Sequence, residues 1–230
     1  MDIICTIGPR TSDPASLAAL KNAGMTVCRL NGAHNLLKWH AEAAKNIKEL
    51  GLPIYMDLPG SKPRPFQTYS NDQVIEFART HGVHWLGLSN AEDPMQVSRL
   101  DQESGLPVIA KIETDLGLQY SSVLSASAAG VQLDRTDFLI NAGRTRFKYA
   151  QEQVAYQARV PGKMAWVASD ILKSMISDPD PTAAEISDIL YLKSLGFNGF
   201  ILAGETAVGR YPVEATKILQ SILEGVKVGA

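Results

Sequence analysis

Lys111 and Glu113 stand two positions apart at the end of a short apolar run, 108–112, and in an extended strand such residues face the same side. One face would carry an ammonium beside a carboxylate, and the plain reading of that is an ion pair. Asp137 follows the next apolar run, 130–133, and supplies a second carboxylate on what would be the adjacent strand. Glu113 and Asp137 together could hold one hard cation, with water and substrate oxygens completing its shell. Sparse ligation of this kind suits magnesium. Other apolar runs end in the same way, in Arg29 and Asn31, Asp57, Ser89, Asp134, Ser169 and Asp170, and Glu205. So many charged groups at strand ends exceed what core packing tolerates, because unpaired buried charge is costly.

The elements that must carry these residues repeat regularly. Eight strand-like runs, at 3–7, 27–30, 54–58, 83–88, 108–112, 130–133, 164–168 and 200–203, alternate with helical stretches at 14–22, 36–50, 71–81, 94–104, 116–126, 147–159, 182–195 and 213–226. Asp13-Pro14 and Asp93-Pro94 read as an N-cap followed by a first-turn proline, and Gly24, Gly51, Gly82 and Gly196 fall where helices should stop. Eight strand–helix units in 230 residues predict a single (β/α)8 barrel over 1–230, with its chemistry on the loops that follow the strands.

Composition narrows the function classes. A net charge of -2 with no Lys/Arg block argues against a nucleic-acid partner. The two cysteines, Cys5 and Cys28, sit in apolar runs without metal-like spacing and read as reduced, buried thiols. No apolar run approaches a membrane span and no secretory signal opens the chain, so a soluble, cytoplasmic protein is expected. The three tryptophans, and His81 and His84, read as packing residues.

Six motifs carry a family resemblance: IICTIGPRTSD, AGMTVCRLNGAH, DLPGSKPR, VIAKIE, ASDILKSM with PTAAEISD, and LAGETAVGRYPVEA. In this order they resemble the barrel of the pyruvate kinases and extend from Ile3 to Ala215. The resemblance implies that Glu113 and Asp137 ligate a divalent cation, Mg2+ or Mn2+, and that Lys111 stabilises an enolate and a phosphoryl group in transfer. Arg29 would clamp phosphate or carboxylate, Asn31 and Asp57 would be two ligands of a monovalent cation such as K+, and Arg64 would be a further anion contact. Arg135, Thr136 and Asp137 lie in the segment that cradles the substrate carboxylate. Ser169 lies near the site of proton transfer, and Asp170 beside it is either a new acid/base or a cap. Glu205 would be structural, paired with a basic group.

Departures from the family pattern qualify the activity. The family's lid domain, inserted after strand three, is replaced by a few residues, and its C-terminal domain is not represented. Ala33 stands for a serine, Asn90 for an aromatic residue, and Thr136 for a glycine whose freedom at positive φ it lacks. A nucleotide partner is therefore in doubt. The first expectation is a Mg2+-dependent enzyme that forms an enolate from pyruvate, phosphoenolpyruvate or a related 2-oxoacid. It would act as a lyase, aldolase or decarboxylase, with kinase activity weak or absent. The alternatives are a true pyruvate kinase acting on phosphoenolpyruvate and ADP, and a non-catalytic binding barrel. A homo-oligomer is expected.

Overall fold

The computed structural model describes residues 1–60 and 69–225; Arg64 lies outside them. Eight parallel strands close into a barrel in sequence order: β1 (Asp2–Thr6), β2 (Val27–Asn31), β3 (Ile54–Asp57), β4 (Trp85–Leu88), β5 (Val108–Ile112), β6 (Gly130–Asp134), β7 (Met164–Ala168) and β8 (Gly199–Leu202), with β8 pairing back onto β1. The expected (β/α)8 architecture is what the chain adopts. Around it run α1 (Pro14–Asn22), α2 (Leu37–Glu49), α3 (Asn71–Thr80), α4 (Pro94–Ser104), α5 (Asp115–Gln119), α6 (Ser121–Ser127), α7 (Arg135–Ala142), α8 (Phe147–Tyr156), α9 (Ala183–Leu195), α10 (Gly204–Ala207) and α11 (Pro212–Glu224). Among the described residues no helix is long and apolar enough to cross a membrane.

Local chemistry sets the boundaries. Asp13 accepts hydrogen bonds from the amides of Ala15 and Ser16, and Asp93 accepts one from Met95. Ser70 with Gln73, and Thr182 with Glu185, form capping boxes at the starts of α3 and α9. Gly51 and Gly82 stop their helices in the left-handed conformation. The stretch expected as one helix over 116–126 breaks at Tyr120 into α5 and α6. An unexpected helix, α7, begins directly after β6. Thr136 lies in its first turn with ordinary negative φ, so glycine's freedom is not needed there.

Two apolar layers result. The larger packs the outer faces of the strands against the helices and takes in both thiols, and burial pushes the Cys5 thiol up to about 12. The smaller fills the barrel interior with Ile4, Val27, Tyr55, Ile109, Trp166, Ala168 and Ile201. Two residues further along these strands, on the same side, come Thr6, Arg29, Asp57 and Lys111. The period of two thus sets a charged layer on an apolar floor.

Glycines make room for the large rings of that floor. A Cβ at Gly199 would overlap the Trp166 indole, 2.6 Å from Nε1. Gly199→Ala is expected to destabilise the protein by about 1–3 kcal/mol, as overpacking does. Urea unfolding followed by tryptophan fluorescence measures this, and an unchanged midpoint would contradict the packing described.

Candidate active site

The charged layer is a compact network at the C-terminal mouth of the barrel. Lys111 Nζ lies 3.0 Å from Glu113 Oε1, 2.9 Å from Asp134 Oδ2 and 3.1 Å from each oxygen of Asp57, of which Oδ2 accepts its hydrogen bond. It also donates to Ser89 Oγ at 3.2 Å. Arg29 spans 2.5 Å to Asp57 Oδ2 and donates to Thr6 Oγ1 at 2.9 Å. Adjacent strands β2 and β3 supply Arg29 and Asp57, β5 supplies Lys111 and β6 supplies Asp134, so the closed barrel itself makes the charges converge.

Electrostatics follow from burial. Desolvation opposes charge on Lys111, yet the carboxylates of Asp134, Asp57 and Glu113 outweigh it and hold the amine's pKa well above the usual range. Burial pushes Glu113 up to about 8, with Lys111 only partly offsetting it. Burial also acts on Asp134, but Lys111 and Arg29 overcome it and hold that carboxyl down. The two neighbouring carboxyls are thus driven in opposite directions, Glu113 up and Asp134 down.

Glu113, Asp134 and Asp137 each present a carboxylate oxygen within 4.8 Å of the others. Glu113 and Asp137 suit a hard divalent cation, while Asp134 is already engaged by Lys111 at 2.9 Å and by Gln132 at 3.1 Å. Glu113 and Asp137 were the expected ligands; Asp134, noted only as a strand-end residue, stands beside them. Asn90 orients Glu113 by donating its amide to Oε2 at 2.7 Å, from a left-handed backbone with φ of 50°. Asn31 and Asp57 are register partners on β2 and β3; Asp57 Oδ1 takes no hydrogen bond but lies 3.1 Å from the Lys111 ammonium, and Asn31 Oδ1 accepts from the Ala33 amide at 3.0 Å.

The other expected residues fall in three places. Asn31, Ser89, Asp137 and Ser169 line the polar cavity of about 160 Å3 above the network. Arg135 is turned away from that cavity: it donates to Ser169 O at 2.8 and 3.0 Å, to Asp170 O at 2.8 Å, and to Asp188 Oδ2 at 2.6 Å. Its geometry is that of a staple, holding Ser169 and Asp170 in consecutive left-handed conformations with φ of 75° and 53°. Asp170 pairs with Lys173 at 2.8 Å and accepts from Thr136 at 3.4 Å on the exposed side, and neither Thr136 nor Asp170 lines the cavity. Glu205 accepts from the backbone amides of Leu172 and Ala203, whereas a basic group was expected.

A second recess of about 360 Å3 adjoins the first, sharing Arg29 and Asn31. It is lined chiefly by Ile7, Gly8, Pro9, His34 and Val208 from the loops after β1, β2 and β8, and it is more apolar.

A closed parallel barrel with a buried lysine, an arginine and a carboxylate cluster at its strand C-termini defines a (β/α)8 barrel with a charged mouth at the end where such barrels place their chemistry. The chain belongs to the pyruvate kinase family: the family model described as "Pyruvate kinase, barrel domain" matches residues 1–53 and 56–216. It is 36% identical to the pyruvate kinase of Chlamydia muridarum over 96% of this chain and 68% of that protein. It is 25% identical to that of Chlamydia pneumoniae over 96% of this chain and 67% of the relative. With the Thermotoga maritima pyruvate kinase it shares 30% over 65% of this chain and 33% of the relative. The alignment to the Chlamydia muridarum protein runs to 326 positions, longer than the chain, so a stretch of the relative has no counterpart here.

Glu113→Gln and Asp137→Asn are each expected to weaken Mn2+ binding by roughly tenfold or more. Electron paramagnetic resonance titration measures free Mn2+, and unchanged affinity in both variants would remove the metal site.

Proposed function

We propose that this barrel transfers a phosphoryl group from phosphoenolpyruvate to a nucleoside diphosphate such as ADP. One observation carries the reading: a polar cavity floored by Lys111 and the carboxylate cluster meets a second, more apolar recess at Arg29, which gives a place for each of two substrates. Family membership supports the same reaction.

Arg29 and Lys111 offer fixed positive charge to the phosphoryl group and to the enolate oxygen released when its P–O bond breaks. A phosphate oxygen of the acceptor forms the new P–O bond, and the enolate takes a proton at carbon three. Ser169 lines the cavity on the β7 side and would guide that proton. Glu113 and Asp137, with Asp134 beside them, would hold a divalent cation, Mg2+ or Mn2+. When bound, the cation supplies charge neutralisation at the phosphoryl and enolate oxygens. Asn31 and Asp57 would hold K+. The 58–70 connection between β3 and α3 is too short for a separate closing domain, and some hydrolysis is expected to accompany transfer. The enzyme is taken to work in the cytosol on small anions, as a homo-oligomer.

Lyase- or aldolase-type chemistry draws no support from these relatives, all named pyruvate kinase. Enolisation nevertheless remains a partial reaction of the same site.

The test couples ATP formation from phosphoenolpyruvate and ADP to a reporter, with proton NMR of pyruvate in D2O alongside. ATP formation that depends on Mg2+ and falls by roughly a hundredfold or more in Lys111→Met is the expected result. Methyl exchange without ATP would replace transfer by enolate chemistry, and the loss of both would leave a binding barrel.

A further inference from the structure

Lys111 has three N–H donors and five acceptor oxygens from four side chains within 3.2 Å, so its aim depends on which partners stay put. Glu113 belongs to the cation cluster, and Asp57 also pairs with Arg29. Asp134 differs because it is anchored from inside the barrel. Gln132 Nε2 donates to Asp134 Oδ2 at 3.1 Å, and Gln132 Oε1 accepts from the Tyr55 hydroxyl at 2.8 Å. Tyr55 and Gln132 are fully buried and neither lines the cavity. Gly87 makes room for this chain: a Cβ there would overlap Tyr55 Oη and stand 2.7 Å from Asp57 Oδ1. The chain therefore ties β3, β6 and β5 together beneath the mouth.

We propose that Asp134 is a positioning residue for the proposed transfer. Held by Gln132 and Tyr55, it fixes the Lys111 ammonium, so that the amine stays aimed while Glu113 serves a cation. The inference rests on the transfer reading, but two of its readouts do not need turnover. The competing role for Asp134, a third metal ligand, predicts a different pattern.

Asp134→Asn is expected to lower kcat by roughly tenfold or more, since misplacing a catalytic group has that scale of effect. The KM for phosphoenolpyruvate and the Mn2+ affinity should each stay within about threefold. Tyr55→Phe keeps the ring and should give a smaller loss of kcat in the same pattern, and it serves if Asp134→Asn fails to fold. Combined, the two should lose no more than Asp134→Asn alone, because they break one chain. In a proton–nitrogen correlation spectrum, the buried Lys111 ammonium, assigned by its disappearance in Lys111→Met, should shift or broaden in both variants.

Mn2+ affinity lowered tenfold or more in Asp134→Asn would make Asp134 a ligand and overturn the proposal, as would an unmoved ammonium signal or fully additive losses. If the wild-type protein shows no transfer, the proposed function falls alone. The ammonium signal and the Mn2+ titration still decide Asp134.

Discussion

The burial of the Lys111 ammonium among Asp57, Glu113 and Asp134 is the constraint on which the rest of the structure depends. Each charge taken from water costs several kcal/mol after relaxation, and only partners in good geometry repay it. No member can leave singly without stranding another. The partners come from separate strands, so the network exists only once the barrel has closed. Arg29 enlarges the cluster and keeps its cations and carboxylates in balance. The same cluster leaves room for a cation: burial pushes the Glu113 carboxyl up, and a divalent ion bound there would compete with its proton.

Around this network the fold works as a positioning frame. The period-two alternation that puts Ile109 on the floor puts Lys111 in the mouth, and rings such as Trp166 and Tyr55 close the space below. From the outside, Asp188 on α9 holds Arg135, which holds the strained Ser169–Asp170 turn at the cavity wall. A helix that never reaches the mouth thereby sets the direction of a serine that does.

Strand order, helix caps and the shared face of Lys111 and Glu113 were legible in the sequence, because each depends on spacing over a few residues. So was the convergence of Glu113 with Asp137, which needs only adjacent strands. The part played by Asp134 was not. Its position at a strand end was evident, but the choice between solvent, cation and lysine is made by Gln132 and Tyr55, the latter 77 residues away from its partner. Arg135 misled for a related reason: two of its acceptors are the backbone carbonyls of Ser169 and Asp170, which leave no trace in residue types, and the third, Asp188, is 53 residues away. Glu205 likewise meets backbone amides. The helix α7 was hidden because it follows β6 with no side-chain cap to announce it.

The chain of Tyr55, Gln132 and Asp134 also bears on how this barrel can change over generations. Replacing Tyr55 or Gln132 alone by an apolar residue strands a buried donor or acceptor, at a cost of about 1–3 kcal/mol, whereas replacing the two together can be nearly neutral as long as Asp134 stays for Lys111. The path between a polar and an apolar barrel floor therefore crosses a stability valley. Lineages on either side of it are expected to keep the two positions as an inherited set.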